Sequence, residues 1–325
     1  MKLSGQKTLF IAPTFYHYHT EIIKTFESWG VDVTFYPEMK QSLGYRIAQK
    51  ISAKLQTSIE SQFMQFILTS IKPNEFDLVF IIRGGYFDEI FFQTLKYKLP
   101  QARFVMYQWD SIRQNNYLPL TPFFHTTQTF DMKDAEKYEL DYLPLFYTDE
   151  YASLKNQKQN KHYDIVFYGA YHSDRLEVVK AVSALCEQQG LVFKHHLYIT
   201  KLALVRLILT GVISYRDRQF LKTYSVPSNE VIEAYKRTKA VLDIELFIQD
   251  GLTIRTFEVL GAGLKLITTN ENIKQEPFFN DDKVVVIDRQ NVKIPMHFLE
   301  GDEKEHEFHF EPYHIENWLR NALSE

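Results

Sequence analysis

One cysteine in 325 residues, Cys186, leaves no partner for an internal disulfide and points to a reducing compartment. It falls on the apolar face of a predicted helix and reads as packing. No apolar run approaches the roughly 20 residues of a membrane-spanning helix; the nearest, 202–213, is interrupted by Arg206. The first apolar run, 8–13, is too short for a secretory leader and leads straight into a helix, so a cytoplasmic protein is expected. Lysine and arginine number 37 against 41 acidic residues, and a net charge of −4 speaks against a nucleic-acid scaffold. No two aspartates are separated by a single residue, and neither a P-loop nor an H-E-x-x-H is present. The Gly261-Ala262-Gly263 string follows a helix, the wrong context for a dinucleotide turn. His306, His309 and His314 have irregular spacing and acidic neighbours, which predicts a surface segment rather than a metal site. Neither metal nor cofactor is expected.

What is present is an ordinary globular composition, 45% hydrophobic and 24% charged, long enough for two cores. Aromatic residues are abundant, with 26 Phe and 20 Tyr. Strand patterns at 8–12, 32–36, 78–83 and 103–108 alternate with helical patterns at 21–29, 42–71 and 88–98. A short helix at 131–139 precedes the apolar 142–145. A polar, lysine-rich stretch without periodicity, SLKNQKQNKH at 153–162, reads as a linker. The alternation then restarts: strands at 164–168, 192–198, 240–244, 264–269 and 283–287, with helices at 173–189 and 229–239. Continuous apolar strands separated by helices predict parallel sheets covered on both faces. Two α/β domains are expected, 1–150 and 151–325.

The most informative stretch is QDGLTIRTFEVLGAGLKLITTN, 249–270. It predicts a tight turn at Gly251, a helix over 252–260, a break at Gly261 and Gly263, and a buried strand. A glycine turn opening a helix presents free N–H groups and a positive dipole end, which suits a diphosphate. Arg255 and Glu258 lie one turn apart, a cation for phosphate beside a carboxylate for ribose hydroxyls; a surface ion pair is the plain alternative.

The string resembles the nucleotide-binding half of GT-B glycosyltransferases, especially the branch related to the CgeB-type spore-maturation proteins. In those families an acidic residue, seven intervening residues and a glutamate lie beside the donor nucleotide. Asp250 and Glu258 match this spacing, with Gly251, Leu252, Thr253, Arg255 and Thr256 between them; many relatives carry Glu where this chain has Asp250. The resemblance implies two Rossmann-like domains facing each other across a cleft, with the closing helix at 315–323 returning to the first. It also implies that Glu258 binds ribose and Arg255 the diphosphate. Metal-free members stabilise the leaving diphosphate with a helix N-terminus and basic residues.

Ligands of parallel α/β sheets bind outside the C-terminal ends of the strands. Three further loops therefore matter. PTFYHYH (13–19) follows the first strand, and His17 or His19 there could take a proton from an acceptor hydroxyl; several inverting GT-B enzymes carry a base histidine at this place. Helix capping is the plain alternative. YQWDS (107–111) offers Asp110, expected to be desolvated by Trp109, as a rival base or as a cap. Arg83, Gly84 and Gly85 close the strand before it and could line an acceptor pocket. GAYHSDR (169–175) supplies a Gly169 turn, Tyr171 and the cation Arg175, similar to the glycine turn and arginine of the CgeB-type family.

Around 202–213 lie Lys201, Arg206, Arg216, Arg218 and Lys222 with Tyr198 and Tyr215. This pattern fits either a packed amphipathic helix or peripheral contact with a membrane face. The expected function is metal-independent transfer of a sugar from a nucleotide-sugar donor to a glycan or lipid-linked acceptor in surface polysaccharide (capsule or lipopolysaccharide) assembly. An epimerase on the same fold, or a binder without turnover, are the alternatives.

Overall fold

The computed structural model describes the chain except residues 1–2, 15–16, 40–44, 46–51, 156, 158–159, 247–249, 301–308 and 325. Part of the helix expected over 42–71, together with Gln249 and His306, therefore lies outside the described residues. The chain folds into two units, Met1–Leu145 with Ile315–Glu325, and Phe146–His314.

The first unit runs β1 (Lys7–Ala12), α1 (Tyr18–Ser28), β2 (Asp32–Pro37), α2 (Ala53–Ser70), β3 (Leu78–Ile82), α3 (Glu89–Lys98), β4 (Arg103–Gln108), β5 (Thr126–Thr129), α4 (Met132–Tyr138) and β6 (Asp141–Tyr142). Its sheet has the order β2-β1-β3-β4-β5-β6, every pair parallel. β3 is buried along its whole length, as its unbroken Leu-Val-Phe-Ile-Ile run demands of a strand covered on both faces. Asp88 caps α3 by accepting from Phe91 N at 2.8 Å, and Asp131 caps α4 through Lys133 N and Asp134 N.

The second unit runs α5 (Asp149–Ala152), β7 (Tyr163–Ala170), α6 (Arg175–Gln189), β8 (Phe193–Tyr198), α7 (Lys201–Leu209), β9 (Leu221–Lys222), α8 (Ser228–Lys236), β10 (Thr238–Asp243), α9 (Ile254–Gly261), β11 (Lys265–Thr268), β12 (Val284–Val286) and α10 (Met296–Glu300). The order β12-β11-β10-β7-β8-β9 is again wholly parallel. It places the first strand, β7, at the centre with the chain winding to either side, the doubly wound Rossmann arrangement. The division at Leu145–Phe146 falls ahead of the polar run 153–162 because Tyr147 and Tyr151 already pack in this unit; a Cβ on Gly261 would run into the Tyr147 ring. The closing helix, α11 (Ile315–Ala322), belongs to the first unit, where Trp318 packs edge-on against Tyr107 with ring centroids 4.9 Å apart.

Most differences from the sequence reading are shifts of element ends. Thr238 and Lys239 join the strand rather than the preceding helix, and Gly261 is the last helical residue, with the turn made at Gly263 (φ 74°). Two strands escaped altogether: β9, only two residues long, and β5, TTQT, which has no apolar signature yet buries Gln128 and Thr129. Among the described residues no helix is long and apolar enough to cross a membrane.

Candidate functional site

In the second unit, β7 and β10 lie side by side where the winding reverses, and their C-terminal ends open the crevice in which such sheets bind ligands. Gly169 near the end of β7 has no side chain for a steric reason: a Cβ there would meet the Phe167 ring at 2.8 Å and Arg175 Nη1 at 3.1 Å. The space belongs to Arg175, the first residue of α6. Its Nε donates to the Ile244 carbonyl at 2.7 Å and its Nη1 to the Ala170 carbonyl at 3.0 Å. Among the described residues it has no carboxylate partner. Burial lowers its pKa to about 10, Arg255 and Arg289 push the same way, and Asp243 and Glu245 only partly oppose them.

Asp243 ends β10 and is buried. It accepts from Thr253 Oγ1 at 2.5 Å and Thr256 Oγ1 at 3.4 Å, and lies 3.7 Å from Arg255 Nη1. Thr253 stands at the N-cap of α9 but spends its hydroxyl on Asp243, so the first-turn N–H groups of that helix receive no side-chain cap. Arg255 is 23% exposed, and its Nε is buried without a hydrogen-bond partner among the described residues. Burial disfavours its charge, but Tyr235, Asp243, Glu258 and Tyr151 together hold it protonated. Glu258 is buried, and the Tyr151 hydroxyl hydrogen-bonds to it; burial first, then this carboxylate, raises the tyrosine pKa. Asp250 and Gly251 are fixed through their backbone: Asn272 Nδ2 donates to Asp250 O at 2.8 Å, and Asn270 Nδ2 to Asp250 O and Gly251 O at 3.3 Å. Leu252 is buried, which leaves only its backbone for a ligand, and Tyr171 packs against the apolar core of the unit.

Three more residues complete this cluster and, like Asp243, were not singled out in the sequence. Arg289, after β12, donates to Asp174 Oδ1 and to Glu245 Oε1, each at 2.6 Å. Glu245, two residues past β10, also accepts from Thr269 Oγ1 at 2.6 Å; burial raises its pKa against both partners. His172 has its pKa lowered to about 4, by burial first and then by Arg175 and Arg289. An Asp-x-Glu at the end of a strand was the available signal for Asp243 and Glu245; nothing in the sequence marks Arg289.

The first unit gathers a second cluster, also at strand ends. Glu38, Arg83 and Asp110 follow β2, β3 and β4 within two residues. Arg83 Nε donates to Asp110 Oδ2 at 2.5 Å and Nη1 to Glu38 Oε2 at 3.0 Å, while its carbonyl accepts from Gln108 Nε2 at 2.6 Å. Its φ of 72° lies in the left-handed region that residues other than glycine rarely adopt. The two carboxylates outweigh burial and raise the Arg83 pKa, whereas burial raises Glu38. Asp110 is 30% exposed and ion-paired, so the expected carboxylate desolvated by Trp109 is replaced by one committed to Arg83. Gly85 makes room beside it, since a Cβ would run into the Asn115 side chain.

His17 precedes α1, exposed and with φ 65°. His19 stacks on Phe35 with centroids 5.1 Å apart; burial, then His17, lowers its pKa, and its Nδ1 has no partner among the described residues. His309 lies 4.0 Å from Glu311, and His314 Nε2 lies 2.9 Å from Asp149 Oδ1. Among the described residues no three His, Cys, Asp or Glu side chains could hold a metal ion.

Residues 180–307 match the model of a family described as glycosyl transferase-like. No curated protein sequence matches the chain. Among solved structures, an alpha-glucosyltransferase in complex with UDP and a mismatched 13-mer DNA is similar: 12% identity, 88% of this chain and 87% of that one covered, TM-score 0.58. The apo lipopolysaccharide outer core galactosyltransferase WaaB is similar at 13% identity, covering 97% and 98%, TM-score 0.52. A putative UDP-N-acetylglucosamine 2-epimerase from Listeria monocytogenes is similar at 11% identity, covering 99% and 95%, TM-score 0.53. With two parallel six-stranded sheets alternating with helices, the chain has the two-domain α/β architecture of the GT-B fold.

Proposed function

We propose that the protein is a glycosyltransferase that moves a sugar from a nucleotide-sugar donor to a glycan or lipid-linked acceptor. The observation that carries this reading is Arg175, a part-buried cation that has no carboxylate partner among the described residues and is crowded by two more guanidiniums. A diphosphate is the ligand that such a site lacks. The uncapped first turn of α9 adds N–H donors of the right sign, so Arg175 and that turn neutralise the leaving nucleoside diphosphate without a metal ion. Glu258 is assigned to the ribose and Arg255 to holding the carboxylates in place, with Gly169, Asp250, Gly251, Thr253 and Thr256 shaping the site. The match of the family model over 180–307 and the fold support the same chemistry.

In the reaction the acceptor hydroxyl oxygen bonds to the anomeric carbon as the bond to the diphosphate oxygen breaks. The hydroxyl proton passes to a base. His17 is assigned that role over His19, whose ring is stacked on Phe35, and over Asp110, which is paired to Arg83. The Asp250–Glu258 spacing supports a place in the CgeB-type branch, with assembly of surface polysaccharide on the cytoplasmic side as the setting.

The test is release of nucleoside diphosphate from a panel of nucleotide sugars, with and without glycan acceptors. Acceptor-dependent release that falls in Arg175→Gln and His17→Ala supports the reading. Turnover to an isomerised nucleotide sugar without acceptor would instead identify an epimerase, and binding without turnover a non-catalytic protein.

A further inference from the structure

Exposed large apolar side chains are few in this protein and unevenly placed. Of the eleven among the described residues, six lie within 201–224: Leu202 (82% exposed), Val205, Leu209 (81%), Val212, Tyr215 and Tyr224. They belong to α7 and the turn after it. α7 buries Leu204 and turns Leu202, Val205 and Leu209 outward, although burying them would contribute about 1.5–3 kcal/mol each. Between α7 and 215–224 runs a groove of about 550 Å³ lined by Leu204, Val205, Ile208, Leu209 and Leu221, with Lys201 and Arg218 also on its wall.

Charge is segregated at the same place. Residues 201–224 hold five cations, Lys201, Arg206, Arg216, Arg218 and Lys222, and one carboxylate, in a chain whose net charge is −4. That carboxylate, Asp217, is neutralised by Lys180 at 3.1 Å and caps its own turn by accepting from Ser214 N at 2.9 Å. Arg206, Arg216 and Arg218 are all exposed. An apolar helix face ringed by tyrosines and by basic side chains without carboxylate partners among the described residues has the composition of an interfacial element.

We propose that α7 and the turn at 212–224 dock the second unit on an anionic lipid bilayer surface. The outward leucines and valines enter the headgroup–acyl boundary, the arginines meet lipid phosphates, and Tyr215 and Tyr224 sit at the interface. This inference is independent of the nucleotide-site reading.

The test is flotation of the full-length protein with vesicles of phosphatidylcholine alone, or of phosphatidylcholine mixed with phosphatidylglycerol. The protein is expected to float with the anionic vesicles only, and less so as salt rises. Leu202→Ser with Leu209→Ser should abolish flotation. Arg206→Gln, Arg216→Gln and Arg218→Gln should each weaken it roughly five-fold. These side chains are exposed, so melting temperatures should be unchanged. Should a variant fail to fold, hydrogen exchange of the wild type reads the same question, with vesicle-induced protection expected at 201–224. No flotation with anionic vesicles, or equal flotation of the leucine variant, would overturn the proposal. So would self-association abolished by the leucine changes, which would make a second copy the occupant.

Discussion

Each of the two parallel sheets has a part-buried arginine past the end of a strand, and the two are treated in opposite ways. Arg83, at the end of β3, faces Glu38 and Asp110, which together override burial and raise its pKa. Arg175, beyond the end of β7, donates to two backbone carbonyls and has no carboxylate partner among the described residues, and burial with Arg255 and Arg289 lowers its pKa to about 10. The first cluster sets two carboxylates against one guanidinium, so its cation is fully matched. The second lacks negative charge at one point and suits an anion. Strand-end position alone does not distinguish the two; the partners of each guanidinium do.

The largest effect should come from opening the complete cluster. Arg83→Gln leaves Glu38, 1% exposed, without its cation and should cost about 3–5 kcal/mol of stability. Adding Glu38→Gln should recover most of that loss in denaturant unfolding, because the cost lies in the uncompensated carboxylate. At the other cluster, Arg175→Gln should leave stability nearly unchanged and weaken nucleoside diphosphate binding by about 1.5–3 kcal/mol, measured calorimetrically. Equal stability losses for the two arginine variants would erase the distinction.

The glycines sharpen it with smaller changes. Gly85→Ala forces Asn115 aside and should lower stability by about 1–3 kcal/mol with nucleotide affinity intact. Gly169→Ala crowds Arg175 Nη1 and should weaken nucleotide binding as well. The smallest effect is in pH. His172 titrates near 4 in the folded protein against 6.5 unfolded, so the unfolded chain binds the extra proton between those values, and stability should fall as pH drops through that window. A bound diphosphate would raise the His172 pKa, so nucleotide affinity should rise over the same range, with proton uptake in calorimetry that His172→Asn removes.

The α/β fold was legible because buried parallel strands carry unbroken apolar runs, as in β3, and β5 escaped because the residues it buries, Gln128 and Thr129, are polar. Local strings likewise pointed to Gly169, Arg175, Asp250 and Glu258. Pairings between distant segments were not legible: Arg289 with Asp174 and Glu245, or Arg83 with Glu38 and Asp110, join residues from different strand ends that no spacing rule connects. Nor does a sequence distinguish a guanidinium facing carboxylates from one facing carbonyls.

Whether Arg175 is a cation awaiting a diphosphate is decided by thermal unfolding with UDP, GDP, CMP, dTDP and ADP in the presence of EDTA. At least one nucleotide should raise the melting temperature of the wild type, and Arg175→Gln should lose that shift while melting alone at an unchanged temperature. No shift with any nucleotide, or an undiminished shift in Arg175→Gln, would refute the assignment.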